Sequence, residues 1–228
     1  MALIENAQGR GKDQSPSGYT RIFGVAELGQ LMSRVQGTVI SAGSELERMI
    51  WERVEKIQDL DTFIDFTLSG GADKLFMARK PQIKASKKIA SKYEPDFVAF
   101  NPHQRKCYVI EVKDGDQFDT KKASGEHASI HNFATDISQA LPFTTEIFLC
   151  SFNARTKDEI FYGLKERFHR KELLTGQELC ELLAIDYSDI VQKRKAHEDI
   201  NLNYFIMEML RINPVRALIV QHLEAFQQ

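Results

Sequence analysis

The chain has few of the residues that staple small folds or carry them across membranes. Its three cysteines, Cys107, Cys150 and Cys180, lie singly in apolar runs. No CxxC and no Cys/His pair with zinc spacing occurs, which excludes a disulfide scaffold and a zinc ribbon. Buried free thiols in a reducing compartment, the cytoplasm, are expected. No apolar run reaches the ~18 residues of a membrane span, so no membrane role is expected. The opening MALIENAQGRGKDQSPSG lacks the basic-then-apolar pattern of a secretory leader. Neither sign of charge dominates. A net charge of −2 argues against a non-specific polyanion binder. No internal repeat is visible, and 228 residues are enough to bury a full core as one domain.

What is present is two short stretches, SKYEPDFVAF and KCYVIEVKDG. Each is an apolar, strand-like run, and the polar turn Asn101 to Lys106 separates them. Glu111 and Lys113 are two apart, so they project from one face of a strand together with Val109. A Glu and a Lys on an apolar face cost free energy unless something pairs them. Asp96, at the start of the preceding strand, can lie opposite them across the ladder. Two carboxylates and an ammonium at one point can hold a hard cation such as Mg2+ and an activated water. Asp96 and Glu111 are the expected metal ligands. Lys113 is expected to orient the water or offset charge on phosphate. The alternative is a cross-strand salt bridge with a turn-capping Asp.

The arrangement Pro95-Asp96, then Glu111-Val112-Lys113, resembles the bipartite motif of the PD-(D/E)xK nucleases. The closest likeness within them is to type II restriction endonucleases, from the length and from the run KDGDQFDTKKASGE after the motif. The resemblance covers roughly residues 40 to 155. It implies a restriction-endonuclease-like α/β core, a mixed central sheet flanked by helices, followed here by a mostly helical C-terminal part. The expected pieces are a helix from Ser44 to Ile57, strands Phe97 to Phe100 and Cys107 to Val112, a helix from Gly125 to Leu141 and a strand from Thr145 to Phe152. It further implies Mg2+-dependent hydrolysis of double-stranded DNA at a specific short sequence, leaving 5′-phosphate and 3′-hydroxyl ends. A twofold homodimer is expected, because a palindromic site mirrors protein symmetry. A repair or junction-resolving nuclease on the same core, or a non-catalytic DNA-binding module, are the alternatives.

The resemblance also asks for a carboxylate from the helix before the hairpin. With Leu46, Met49, Ile50, Val54 and Ile57 as the apolar stripe, Glu47 falls nearer its centre than Glu45 does. Glu47 is therefore expected to face inward and Glu45 to face solvent. Ser44-x-x-Glu47 is also a capping box, so Glu47 serves either the metal or the helix end.

The segment RKPQIKASKKIASK, residues 79 to 92, holds six basic residues and no acid. Within it Lys84, Lys87 and Lys88 share a face if the stretch is helical, with Pro81 near its start. They are expected to grip DNA phosphate, as are Lys121 and Lys122. An ordinary solvated face is the alternative. Asp114, Asp116 and Asp119 read as turn residues, the last two within reach of an outer metal. His127 and His131 stand four apart on the predicted helix after the motif, a spacing open to a metal pair, but with no further ligand near in sequence they read as a solvated or phosphate-contacting face.

Along the chain, residues 1–18 are expected to form a mobile tail, 19–155 the nuclease core, and 156–228 a helical part packed on it. A helix from about Val25 to Val35 precedes the Ser44 helix. Residues 58–78 read as a hairpin or loop about Gly70-Gly71. Helices are predicted over 156–168, 177–184 and 189–212, and a last one begins at Asn213-Pro214. NLNYFIMEMLRI, residues 201–212, is apolar nearly all round and is expected in the core or in a subunit interface.

Overall fold

A computed structural model of the chain describes residues 2–8, 17–68, 70, 73–115 and 120–226. In chain order the helices are α1 (Gly18–Phe23), α2 (Ala26–Trp51), α3 (Leu60–Leu68), α4 (Lys80–Ala85), α5 (Thr120–Ala140), α6 (Lys157–Gly163), α7 (Gly176–Leu183), α8 (Tyr187–Arg211) and α9 (Asn213–Phe226). The strands are β1 (Glu55–Lys56), β2 (Phe76–Arg79), β3 (Phe97–Asn101), β4 (Lys106–Lys113), β5 (Thr144–Ser151) and β6 (Leu173–Thr175). By its contacts the chain divides into two units, Glu47–Tyr187 and Met1–Leu46 with Ser188–Gln228. The boundary expected near residue 155 falls inside the first of these.

The unit Glu47–Tyr187 is built on one six-stranded sheet in the order β1 to β6. β2–β3 and β3–β4 pair antiparallel, while β1–β2, β4–β5 and β5–β6 pair parallel. This is the mixed α/β sheet expected from the sequence. All five residues of β3 are buried, as a continuous apolar run demands when both sheet faces are covered. A parallel β4–β5 pair needs a crossover, and α5 supplies it. Ile130, Phe133 and Ile137 recur at helical spacing along α5 and pack with Val98, Phe100, Cys107 and Val109 of β3 and β4. Phe133 is fully buried, and its truncation to Ala would cost about 3–5 kcal/mol.

Two parts of this unit differ from expectation. Residues 58–78 contain α3 and β2, not a hairpin. β2 runs parallel to β1 and antiparallel to β3, so it extends the sheet beyond the predicted hairpin. α6 stops at Gly163, short of the predicted 168, because Lys165 and Glu166 adopt left-handed backbone (φ 51° and 59°) that no helix continues through. Cys107, Cys150 and Cys180 are free and buried, as their apolar surroundings predict.

The other unit is helical. α2 is continuous where two helices with a break were expected. Gly37, Gly43 and the β-branched run Thr38-Val39-Ile40 are all accommodated within it. A Cβ on Gly37 would come within 3.2 Å of the Gln8 carbonyl, so the glycine lets the N-terminal segment lie close. That segment was expected to be mobile, yet Ala2, Leu3 and Ile4 are buried. The Arg34 guanidinium donates to the carbonyls of Ile4 (2.8 Å), Glu5 (2.9 Å) and Ala7 (3.2 Å). Residues 9–16 of the expected tail lie outside the described residues.

Ile4, Leu31 and Ile212 form this unit's small buried cluster, with Tyr204, Phe205 and Met209 of α8 packed against it. That occupies one stripe of α8. On its other sides Leu202 (58% exposed), Met207 (54%), Ile206 and Leu210 face outward. Full burial of residues 201–212 in the chain's own core, one of the two expectations, therefore does not occur.

Candidate active site

The sheet register assembles the site. β2 pairs β3 with Arg79 opposite Phe97, and β3 pairs β4 with Phe97 opposite Ile110. One residue beyond each of these partners come Lys80, Asp96 and Glu111, so the register carries them onto one line across three strands. They share the sheet face of Val98 and Val109, the face that α5 covers. β3 ends there, while β4 continues against β5 as far as Lys113 opposite Ser151. The end of β4 therefore has a neighbouring strand on one side and a gap on the other.

Asp96 fills that gap. It is buried, at 4% exposure. Its Oδ2 accepts the Val112 N–H at 2.8 Å, replacing the ladder bond that β3 no longer offers. Its Oδ1 accepts a close hydrogen bond from Lys80 Nζ. Across from it, Lys113 Nζ donates to Glu111 Oε1 at 2.9 Å and lies 2.9 Å from Glu126 Oε1. A cavity of about 440 Å³ opens beside them, with Tyr93, Pro95, Glu111, Glu126 and Phe133 among its walls.

Charge crowding is the site's main electrostatic feature. Burial first, and then the charge of Asp96, push the Glu111 carboxyl above its ordinary range, while Lys113 and Lys80 pull it back in part. Glu47 is shifted up in the same way, by burial, then Asp96, then Glu111, against Lys80 and Lys113. The Lys113 ammonium is held well above its usual value. Burial opposes its charge, but Glu111 and Glu126 outweigh that. Lys80 is raised as well, against the cost of burial, by its contact with Asp96. Asp96, Glu111 and Glu47, gathered at one place and faced by two lysines, form a donor set suited to a hard divalent cation.

The pair Asp96 and Glu111-x-Lys113 is thus brought together as the spacing predicts. Glu47 stands within the field of the same charges, from the last turns of α2. Ser44 is well inside α2, so Ser44-x-x-Glu47 is not a helix start and the capping reading falls. Glu45 was expected to face solvent but is buried, at 9% exposure. Its Oε2 accepts the Ala2 N–H at 2.7 Å, and His197 Nδ1 lies 3.7 Å from its Oε1. The N-terminal segment and α8 of its own unit cover the face that a lone helix would have left open.

The basic segment is arranged differently from expectation. α4 ends at Ala85, so Lys84, Lys87 and Lys88 do not share a helical face. Asp61 accepts Ser86 Oγ and the Lys87 N–H (2.9 Å), which draws the chain out of the helix and onto α3. Lys84 lies 3.8 Å from Glu94, and Lys88 pairs closely with Asp65. Lys121 and Lys122 begin α5, but their side chains lie outside the described residues, as do Asp116 and Asp119. Two members of the constellation were missed. Lys80 reads in the sequence only as part of a basic run, because nothing local marks β2 just before it. Glu126 lies in the predicted α5, whose first turns return to the end of β4.

A mixed sheet flanked by helices, with an acidic and basic cluster where the central strands end, defines a restriction-endonuclease-like core. Comparison with known proteins agrees. Type II restriction enzyme HhaII from Haemophilus parahaemolyticus is 45% identical over 228 residues, spanning 97% of this chain and 100% of the relative. No protein-family model matches, and no solved structure does. The chain belongs to the type II restriction endonucleases.

Proposed function

We propose that this restriction endonuclease is a PD-(D/E)xK enzyme that hydrolyses phosphodiester bonds in double-stranded DNA at a specific short sequence. It uses Mg2+ and works as a homodimer in the cytoplasm. The observation that carries this reading is the line Lys80–Asp96–Glu111, continued by Lys113, at the point where β3 ends beside β4.

Asp96 and Glu111 would hold the cation, with Glu47 as a further carboxylate. Burial and then the charge of Asp96 raise the Glu111 and Glu47 carboxyls, and a divalent charge would offset both. Bound Mg2+ would polarise the phosphate and lower the pKa of a coordinated water. The chain's own groups do the positioning. The Val112 N–H fixes the Asp96 carboxylate, so its charge is preorganised and not free to rotate away. Glu111 and Glu126 together hold the Lys113 ammonium, which keeps it protonated and aimed into the site. There it can donate to the attacking water or to a phosphate oxygen as negative charge develops. Lys80 offsets part of the acidic excess and is exposed enough to meet a phosphate oxygen.

The homodimer reading is supported by the apolar side chains that the helical unit leaves outside, among them Leu202 and Met207 of α8 and Leu218 and Leu223 of α9. Patches of that kind mark association surfaces.

Digestion of a long defined DNA tests the activity. With Mg2+ the expected outcome is a discrete band pattern, and with a chelator intact DNA. A smear would contradict site specificity. Intact DNA in both conditions would point to a binding module.

A further inference from the structure

We infer that His127, His131 and Glu172 form a second metal site, for a borderline transition-metal ion of the Zn2+ class, apart from the carboxylates of the β3–β4 line. The two histidines are four apart on α5 and therefore share a face. Their rings stack with centroids 4.1 Å apart, and the His127 ring meets Phe168 edge-on at 4.7 Å. The third member comes from the far end of the sheet unit's sequence. Glu172 closes the 3-10 turn Arg170–Glu172 just before β6 and is buried, at 7% exposure.

Glu172 is held as a metal ligand needs to be. Its Oε2 accepts the His169 N–H at 2.8 Å, which fixes the carboxylate as an outer partner fixes a ligand. Its Oε1 lies 4.0 Å from His131 Nε2, too far for a hydrogen bond. His131 Nε2 is shielded from solvent and has no hydrogen-bond partner, a cost that an ion would remove. Ligand atoms of all three residues lie within 4.8 Å of one another. A tetrahedral ion with bonds of ~2.0–2.1 Å needs its ligands ~3.4 Å apart. The group must therefore contract by roughly an ångström, which small side-chain rotations can supply.

The donor set selects the ion. Two imidazoles and one carboxylate suit Zn2+ and its neighbours, whereas Mg2+ prefers oxygen throughout. A cavity of about 520 Å³, with His131, Glu172, Thr135 and Lys171 in its walls, gives an entry path and room for a water as fourth ligand. The neighbouring Glu126 turns to Lys113 instead, at 2.9 Å. The two sites thus take successive residues of one helix. An ion here pins α5 to the strand β6 segment and leaves the Mg2+ carboxylates untouched. The sequence separates His131 from Glu172 by forty-one positions, so the pair alone showed no third ligand.

The inference is tested by titrating the full-length protein with Zn2+ in a calorimeter, and with Co2+ by its visible absorption. The Asp96→Ala variant is run alongside, so that ion bound at the β3–β4 carboxylates is recognised. One equivalent retained in Asp96→Ala, with a four-coordinate Co2+ spectrum and a rise in melting temperature, is the expected result. His131→Ala and Glu172→Gln should each weaken that equivalent at least about tenfold. Glutamine at 172 can still accept the His169 N–H, so its fold should hold even if the histidine variant is less stable. Unchanged Zn2+ affinity in Glu172→Gln and His131→Ala, or no bound equivalent in Asp96→Ala, would overturn the site and return the histidines to simple packing. Either result leaves the Mg2+ reading untouched, because DNA cleavage is not the readout.

Discussion

Phe97, Phe100 and Phe133, in the unit built on the sheet, are at most 1% exposed, whereas Leu218, Leu223 and Phe226 of α9, in the helical unit, are 56%, 56% and 87% exposed. The first unit buries most of its large apolar side chains within itself, and its buried acids among the described residues are Asp96, at the end of β3 beside β4, and Glu172. The second has a small buried cluster and many outward apolar residues. Polar groups kept in an apolar core mark chemistry, and apolar groups left on a surface mark association. On that reading the catalytic and assembly roles are divided between the units, and substitutions should separate them.

The largest expected effects lie at the sheet. Asp96→Ala and Glu111→Ala should each abolish cleavage in a Mg2+ assay while circular dichroism and oligomeric state stay as in the wild type. Wild-type turnover in either variant would refute the metal assignment, and a change in oligomeric state would break the division between units. Next comes Lys113→Ala. Losing a donor aimed at the developing charge should cost about 3 kcal/mol in the barrier, or about 10²-fold in single-turnover rate. DNA affinity measured in Ca2+ should change far less.

A third prediction moves to the helical unit. Leu218→Glu with Leu223→Glu should weaken self-association at least about tenfold in sedimentation equilibrium. Burying those charges in an interface core is costly. The folded melting transition should remain, since both residues are exposed in the single chain. An unchanged dimer would shift the interface to another surface.

The sharpest comparison uses two residues of one helix. Glu45 belongs to the helical unit and Glu47 to the sheet unit. Glu45→Gln weakens the acceptor of the buried Ala2 N–H and the charge facing His197. It should lower stability by about 1–2 kcal/mol with little change in cleavage rate. Glu47→Gln should do the reverse, reducing activity with partial recovery at high Mg2+. If both affect only stability, Glu47 is not part of the metal site.

The smallest effect is a pH slope. In metal-free protein the folded Glu111 and Glu47 carboxyls titrate above the 4.5 of a free glutamate. As pH rises above about 4.5 the folded state holds more protons than the unfolded chain, so this contribution to stability falls. Glu111→Gln should flatten that decline in a series of thermal melts, and added Mg2+ should do the same for the wild type.

Much of the sheet could be read from the chain because its signals are local. The run FVAFN, a polar turn and the alternation in KCYVIEVK are enough for a hairpin, and the hairpin alone brings Asp96 to Glu111. Lys80 depended on β2, four residues long and preceded by Gly70-Gly71, where neither period nor length distinguishes a strand from a loop. The environment of Glu45 was hidden for a different reason. Its partners Ala2 and His197 are forty-three residues before and 152 residues after it in sequence, and helical geometry alone cannot supply a covering segment. The same holds for residues 201–212, whose all-round apolarity predicts burial but not by what.

In the proposed mechanism Asp96 acts through its charge and not through the fold. Asp96→Asn keeps an oxygen to accept the Val112 N–H and removes that charge. Single-turnover cleavage of a fragment with one cut site, measured across a Mg2+ series, is the direct test. No detectable cutting by Asp96→Asn is expected at any Mg2+ concentration, with melting temperature close to wild type. Cutting at the wild-type rate by a folded Asp96→Asn enzyme would contradict that mechanism.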